Sequence, residues 1–305
     1  MKKTFRVYQV DAFTKERFTG NPAGVVPDAS GLSEQQMQRL ARELNNSETA
    51  FLFPGKEGEY DVHVRFFTPT REVPICGHGT VAAQFVRAME LGLTGSHTVV
   101  QKSGAGLFSV EVTRAGEGYR VTMYQGKAQL SAPLTDEERG ILLEALGLEE
   151  TDLRPESPVA AATTGAGKVM VAINSLEKLH GLRPNMEALA ALSRRIGVNG
   201  YHVFTIHPGE DPLIHGRMFA PANGNNEDPV TGTSNGPLGA HLVTYGMIPA
   251  DGEEVRFVAA QGEAMGRPGA MEVRVELENS QPGNISIVGD AVVAFRTEIE
   301  LECGE

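Results

Sequence analysis

The stretch Glu227–Leu242, EDPVTGTSNGPLGAHL, places an acidic pair, a glycine-rich turn and the start of a helix side by side. An earlier stretch, Pro74–Leu93 (PICGHGTVAAQFVRAMELGL), matches it at a constant offset of 155 residues, so that Gly77 falls on Gly232. Glycines allow backbone N–H groups to converge, and the N-terminus of the following helix adds partial positive charge. Each stretch therefore predicts an anion-binding turn, and together they predict two half-sites that face one cleft.

A second, weaker echo lies upstream of each turn. The segment Arg65-Phe66-Phe67-Thr68-Pro69 precedes the first turn, and Arg217-Met218-Phe219-Ala220-Pro221 precedes the second, with three extra residues in the later copy. A chain of 305 residues favours one large or two medium domains. The repeat favours two domains of similar structure.

Composition narrows the class of protein. The chain has 27 Lys+Arg against 39 Asp+Glu, a net charge of −12, and no long run of one sign. Binding to nucleic acid needs a basic surface, so a small-molecule substrate is the expected partner. We found no secretion signal and no apolar span of membrane length, which predicts a soluble cytoplasmic protein without a membrane partner.

The two cysteines, Cys76 and Cys303, do not form a disulfide framework. We interpret Cys303 as an incidental tail residue. Metal-ligand spacings such as CxxC and HExxH are absent, and the eight histidines are scattered, so no metal site is predicted.

Capping signals and hydrophobic periodicity predict the regular elements. Ser33 and Gln36 form a capping box for a helix that ends near Asn45, and a strand over 47–53 should stop at Pro54. The helix after Cys76 carries few charges, which is typical of a helix buried on most sides, so we place it inside a wrapping sheet.

The second half repeats this order of elements. The prediction comprises a linker at 131–133, helices at 135–147 and 185–196, and strands at 168–173, 201–206, 285–288 and 291–295. Successive strands joined by short turns favour antiparallel or mixed pairing rather than βαβ alternation. The expected class is α+β.

Three side chains could carry chemistry, and each has a structural alternative. Glu48 at a helix–strand junction is either a solvated carboxylate or, if buried beside Phe51, a proton carrier. His78, between two glycines at a helix N-terminus, is either a core histidine or a neutral ring suited to relaying a proton. Asp228 either caps the following turn or points into the site, whereas the neighbouring Glu227 is expected to be solvated.

Two sequence motifs are set aside. Residues 77–82 fit GxGxxG/A, but Pro74 and Cys76 interrupt the preceding strand and no βαβ unit surrounds them. Residues 232–236 fit GxSxG, yet the only later histidine, His241, lies one turn further along the same helix with no acid between. Dinucleotide binding and esterase chemistry are therefore not predicted.

Six ordered motifs together resemble the phenazine-biosynthesis isomerase-like (PhzF) family from end to end. They are Asp11-Ala12-Phe13, Gly20-Asn21-Pro22-Ala23-Gly24-Val25, Asn46-Ser47-Glu48-Thr49-Ala50-Phe51, Phe66-Phe67-Thr68-Pro69, Cys76-Gly77-His78-Gly79-Thr80 and Glu227-Asp228-Pro229-Val230-Thr231-Gly232. That family is similar in fold to diaminopimelate epimerase. The resemblance implies two pseudo-symmetric domains, each a mixed β-sheet rolled into a barrel around a central helix. The first would span 1–128 plus a returning strand at about 289–305, the second 129–288, and the active site would lie in the cleft between them.

The resemblance also implies site residues. Glu48 matches the family's acid/base glutamate, and His78 and Asp228 match a further polar pair, which gives three catalytic candidates. The candidate substrate-binding residues are Gly77, Thr231, Gly232 and Thr233. The epimerase relatives use one cysteine from each half, but this chain has Cys76 in the first half and Thr231 in the second. A threonine hydroxyl cannot act as a thiolate base, so two-base racemisation is not expected.

The predicted function is isomerisation of a small carboxylated metabolite by acid/base proton transfer, without a cofactor and in a homodimer, as the resemblance implies. The substrate carboxylate would rest on the N–H groups of Gly77, Gly232 and Thr233, and Glu48 would move the proton. Two alternatives stay open: a non-catalytic metabolite-binding protein, and an epimerase that uses Cys76 alone.

Overall fold

A computed structural model describes residues 2–302 of the chain. These residues divide into two compact units, 2–124 with 288–302, and 125–287. Cys303 and the last residues of the predicted returning strand lie outside the described residues. Across 2–302, we find no helix with the length and apolar character needed to cross a membrane.

The first unit contains two helices and a set of mostly short strands. They are β1 (Lys2–Ala12), β2 (Asn21–Val26), α1 (Glu34–Leu44), β3 (Glu48–Lys56), β4 (Tyr60–Phe67), β5 (Glu72–Val73), α2 (Gly77–Leu91), β6 (Ser96–Ser103), β7 (Gly106–Ala115), β8 (Gly118–Lys127), and the C-terminal part of a long strand, Gln281–Glu302, numbered β17 below.

The second unit has the same kind of composition. Its elements are β9 (Gln129–Pro133), α3 (Asp136–Leu146), β10 (Ala160–Thr163), β11 (Lys168–Ala172), α4 (Leu176–Gly181), α5 (Met186–Ile196), β12 (Gly200–Ile206), β13 (Ile214–Ala220), β14 (Asn225–Asp228), α6 (Gly232–Thr244), β15 (Glu254–Gln261), β16 (Gly269–Glu278) and the start of β17 (Gln281–Glu302). Short 3₁₀ turns lie at Glu150–Asp152, Pro221–Asn223 and Glu263–Met265.

The sheet of the first unit closes on itself. Neighbouring strands follow the order β17, β1, β2, β3, β4, β6, β7 and β8, and β8 pairs with β17. The β2–β3 and β4–β6 pairs are parallel, and β1–β17, β1–β2, β3–β4, β6–β7 and β7–β8 are antiparallel. This closed barrel packs around α2, whose side chains are buried over most of its length.

The second unit repeats the pairing pattern. Its strands follow the order β9, β10, β11, β12, β13, β15, β16 and β17, with parallel pairs at the equivalent places, β11–β12 and β13–β15. The central helix is α6, which packs on β10, β11 and β16. The predicted fold is therefore confirmed: an α+β protein of two internally similar halves, each a mixed sheet rolled around one helix.

Capping explains the helix ends predicted from the sequence. Ser33 and Gln36 form the capping box of α1, and Asn45 ends the helix in the left-handed conformation. Thr135 and Glu138 cap α3 in the same way. These predictions are confirmed because they depend only on contacts between neighbours in sequence.

Absence of a side chain at Gly239 lets the second central helix lie close to its sheet. A Cβ at this position would lie 2.6 Å from Cγ2 of Val275 on β16, closer than two carbons can approach. The helix and sheet therefore meet at a distance that only glycine permits.

Three strand predictions need correction. β3 continues through Pro54, which pairs with Val62 on β4. On its other side, the pairing of β3 with β2 ends at Phe51. The N–H that proline lacks would have pointed to that unpaired side, so no strand hydrogen bond is lost. The predicted linker at 131–133 belongs to β9, which pairs with the alanine-rich β10. The predicted strands 285–288 and 291–295 form one continuous strand, β17.

The echo upstream of each turn corresponds to a repeated ion pair. Arg65 on β4 binds Glu72 on β5 through two N–H groups, at 2.7 and 2.6 Å, and Arg217 on β13 binds Glu227 on β14 likewise, at 2.8 Å for both. The prediction that Glu227 is solvated is wrong. Its side chain is only 14% exposed because it neutralises the buried guanidinium of Arg217.

Candidate active site

Two of the predicted catalytic residues meet in the first unit, at the N-terminus of its central helix. Glu48 opens β3 and His78 is the second residue of α2. Oε2 of Glu48 lies 3.3 Å from Nε2 of His78, and Oγ of Ser47 lies 3.2 Å from the same nitrogen. The imidazole is thus in position to exchange a proton with the carboxylate.

Burial of this pair is uneven. The His78 side chain is 8% exposed, whereas the Glu48 side chain is 21% exposed. The carboxylate is therefore the member that keeps access to a small molecule from outside the barrel, while the ring is fixed by its surroundings.

Cys76 supports this arrangement from the preceding position. Its Sγ caps α2 by accepting the N–H of Gly79 at 3.2 Å, and it lies 3.5 Å from Nδ1 of His78. A Cβ on Gly79 would lie 2.9 Å from that sulfur, so glycine is required there. Gly79 thus serves the cap as well as the turn.

Glu48, Cys76 and His78 also form a set of possible metal ligands. One donor atom from each lies within 4.8 Å of the others. A carboxylate, a thiolate and an imidazole are ligands that Zn²⁺ accepts. Sequence spacing could not reveal this set because Glu48 comes from a different element.

Asp228 ends β14 in the second unit and lies next to the predicted substrate-binding turn. Its Oδ2 accepts the hydroxyl of Thr231 at 2.5 Å, and its Oδ1 lies 3.4 Å from Nδ2 of Asn225. Gln261 donates to the Asp228 carbonyl at 2.7 Å and to the Thr231 hydroxyl at 3.1 Å. The carboxylate is therefore held in a fixed orientation, and the hydroxyl of Thr231 is committed to it.

Both central helices begin with backbone N–H groups that have no assigned acceptor within residues 2–302. In the described residues, no acceptor is assigned to the N–H groups of Gly77 and His78 at the start of α2, or of Gly232 and Thr233 at the start of α6. Helix N-termini of this kind bind anionic groups. Each predicted anion turn thus has its donors in place within its own unit.

The two units differ where chemistry would occur. Glu48 and Gly200 occupy equivalent places, the first residues of β3 and β12, each in a parallel pair. Cys76 and Thr231 likewise precede the two central helices, and only Cys76 caps its helix with its side chain. At this pair of positions, only the first unit therefore has a carboxylate.

Sequence reasoning missed three polar side chains at these helix starts: Ser47, Gln261 and Lys168. Lys168 is 4% exposed and donates to Thr233. The signal was present as a lysine at the start of the apolar strand KVMVAI, where a charged side chain is unusual.

Comparison with known proteins assigns this arrangement to a family. The sequence profile described as "Phenazine biosynthesis-like protein" matches residues 10–297. The chain belongs to this family. It is 49% identical to an uncharacterized isomerase of Clostridium acetobutylicum, over 99% of this chain and 100% of that protein. The family profile and this relative both match nearly the whole chain.

Two further relatives bear on activity and fold. A trans-2,3-dihydro-3-hydroxyanthranilate isomerase of Pseudomonas chlororaphis is 32% identical, covering 96% of this chain and 98% of that one. The crystal structure of a PhzF-family phenazine biosynthesis protein from Bacillus anthracis matches with a TM-score of 0.87 and 32% identity, covering 97% and 99% of the two chains. The protein is an isomerase of the phenazine biosynthesis-like family.

Proposed function

We propose that this isomerase moves a proton from one carbon to another within a small unsaturated carboxylic acid, with Glu48 as the proton carrier. The observation that supports this most is the contact between Glu48 and His78 at the start of α2, next to unused backbone donors. A partly exposed carboxylate beside donors for an anion suits a substrate that has both an acidic C–H and a carboxyl group.

In the proposed reaction, the carboxylate of Glu48 accepts a proton from a carbon of the substrate. The electron pair left behind shifts the neighbouring double bond, and the same carboxyl group returns the proton to the carbon at the far end of the shifted system. The product has the same atoms as the substrate, so no cofactor is consumed. His78, in contact with Glu48, orients the carboxyl group and relays a proton to or from it.

The substrate carboxylate is the group that the helix N-termini would hold. The N–H of Gly77 in the first unit, and those of Gly232 and Thr233 in the second, are donors suited to it. In the proposed substrate the carboxylate is conjugated with the reacting carbons, so part of the negative charge that develops in the reaction spreads onto it. The N–H donors that bind the carboxylate would then stabilise that charge.

The first compound to test is trans-2,3-dihydro-3-hydroxyanthranilate, which a relative named for its isomerisation acts on. We expect conversion to an isomer of unchanged mass, followed by nuclear magnetic resonance, in buffer treated with a chelator. If this compound is inert, a panel of small unsaturated carboxylic acids is screened by thermal shift, since a bound ligand raises the melting temperature. A product of different mass, or turnover that needs an added redox cofactor, would contradict the proposal.

The family resemblance assigns Asp228 to the same reaction, and we expect Asp228→Asn to lower kcat/KM. Loss of a charged hydrogen-bonding group costs roughly 1.5–3 kcal/mol, which corresponds to about 10- to 100-fold. The measurement is steady-state kinetics on the compound identified above. The exposed Asp136→Asn in the same unit is the control and should leave kcat/KM unchanged.

An epimerase that uses Cys76 is the second candidate, because the sulfur lies 3.5 Å from the His78 ring. Our proposal gives Cys76 a capping role, so Cys76→Ser, whose hydroxyl can accept the same N–H, should keep kcat within a few-fold of wild type. Cys76→Ala should lower stability by about 1 kcal/mol through loss of the cap. Complete loss of activity in Cys76→Ser with an intact fold would favour the epimerase.

A further inference from the structure

Lys168 places a buried positive charge at the start of the second central helix. It is the first residue of β11 and is 4% exposed. Its Nζ donates to Oγ1 of Thr233 at 2.9 Å and to the carbonyl oxygen of the same residue at 3.2 Å. Neither acceptor is charged, so these contacts do not neutralise the ammonium group.

Pro237 explains why the Thr233 carbonyl can accept from a lysine. In a regular helix that carbonyl would receive the N–H of the residue four positions later, which here is Pro237 and has no N–H. The ammonium group takes the place of the missing helical donor. This contact uses two acceptors of one residue and leaves one of the three ammonium N–H groups without an assigned acceptor in residues 2–302.

The charge on Lys168 is not paired with a carboxylate among the described residues. Asp228 on β14 attracts it only at longer range, and the charge of Lys168 adds to the burial that lowers the pKa of His202 on the neighbouring strand β12. Burial lowers the pKa of His202 to about 3, so its ring is neutral at physiological pH, with Nδ1 bonded to Ser234 at 3.0 Å. A buried cation that has no carboxylate in direct contact is costly, and such groups are often kept for function.

The internal repeat matches Lys168 to Ala23, the residue that lies opposite Glu48 in the parallel β2–β3 pair. In the first unit, Glu48 contacts His78, the second residue of α2; in the second, Lys168 contacts Thr233, the second residue of α6. Lys168 lies opposite Gly200, the equivalent of Glu48, in the parallel β11–β12 pair. Beside the start of its central helix, the second unit therefore has the ammonium group of Lys168, on the strand adjacent to Gly200, where the first unit has the carboxylate of Glu48.

We propose that Lys168, together with the N–H groups of Gly232 and Thr233, forms the anion site that binds the carboxylate of the substrate. The inference rests on the proposed function, which requires a carboxylated substrate but does not name a cation for it. Lys168 is a binding residue in this assignment. It fixes the substrate and selects for a negative charge, while Glu48 moves the proton.

The pH dependence of anion binding follows from the burial of Lys168. Burial lowers its pKa to about 8, and Asp228 offsets part of that shift. Below this value the ammonium form predominates in the unliganded protein, and above it the neutral amine does. Anion affinity should therefore be constant near pH 7 and fall as pH rises through about 8, whereas the neutral His202 contributes no change in this range.

The test is calorimetric titration of the full chain with sulfate, whose charge is constant between pH 7 and 9.5. We expect Lys168→Met to weaken sulfate binding about 10- to 100-fold at pH 7 and to abolish the decline in affinity above pH 8. Lys178→Met removes the same charge from a half-exposed pair with Asp152 in the same unit and should leave the titration unchanged. Lack of sulfate binding to the wild type, or an unaltered pH profile in Lys168→Met, would overturn the assignment.

A melting curve without ligand excludes a purely structural role. Lys168→Met removes a buried charge, which favours the folded state, but it also leaves the Thr233 carbonyl without its donor, which costs about 1–3 kcal/mol, so the two effects oppose each other and the variant should melt within a few degrees of wild type. A structural lysine would instead give a lower melting temperature with unchanged sulfate affinity. Sulfate binding is independent of turnover, so a sulfate site that depends on Lys168 in a protein inactive on every carboxylate tested would contradict the proposed function alone.

Discussion

Glu48→Gln is expected to lower kcat about 10²- to 10⁴-fold, the range that a positioned acid/base group contributes. The amide keeps the size of the side chain and can still contact Nε2 of His78, which lies 3.3 Å from the carboxylate in the wild type. It cannot accept a proton from carbon. The measurement is kcat on the compound identified by product analysis, with KM determined in parallel, because loss of chemistry alone should leave KM within a few-fold.

The matched control for this variant is Glu43→Gln, an exposed glutamate on α1 of the same unit. It makes the same chemical change without touching His78, so kcat should stay at the wild-type level. Equal activity of Glu48→Gln and Glu43→Gln would remove Glu48 from the reaction.

Glu227→Gln is expected to destabilise the protein by about 3–5 kcal/mol, the cost of leaving one member of a buried ion pair without its partner. The side chains of Arg217 and Glu227 are 6% and 14% exposed, and they share two hydrogen bonds. Arg217 also donates to the carbonyls of Leu179 and Leu182, so the guanidinium cannot move to solvent without losing those contacts. Urea denaturation, followed by circular dichroism, measures the change.

The internal repeat supplies the control for this change. Glu72→Gln alters the equivalent pair in the first unit, where Arg65 and Glu72 are 22% and 37% exposed and Glu34 offers a second carboxylate. Solvent screens this pair, and the expected loss is at most about 1 kcal/mol. Similar losses in both variants would show that burial does not set the energy of the pair.

Local signals accounted for much of the fold. The capping box at Ser33 and the capping residue Thr135 predicted α1 and α3, because a cap depends on contacts within one turn. The repeated glycine turns predicted two similar halves and the starts of both central helices. Strand pairing was harder: β9 and β10 pair with each other although neither has a strong strand sequence, and Pro54 lies within a strand because its partner on one side has already ended.

The candidate site was predicted only in part, for a related reason. His78, Gly77 and Gly232 stand out through their own glycine-rich sequences, whereas Glu48 was ambiguous until the family resemblance was considered. The partners of these residues come from distant strands, as Lys168 does for Thr233, and no local pattern joins them. The homodimer, the cytoplasmic location and the domain boundaries stay predictions of the sequence.

The measurement that tests the central claim most directly is deuterium incorporation from ²H₂O at the reacting carbons, compared between the wild type and Glu48→Gln. The proton that Glu48 removes can exchange with solvent before the carboxyl group returns it to the substrate. The wild type should therefore place deuterium at the carbon that receives the proton. Glu48→Gln should incorporate none above the uncatalysed rate. Incorporation by Glu48→Gln at the wild-type rate, with substrate bound, would show that another group moves the proton and would contradict the account.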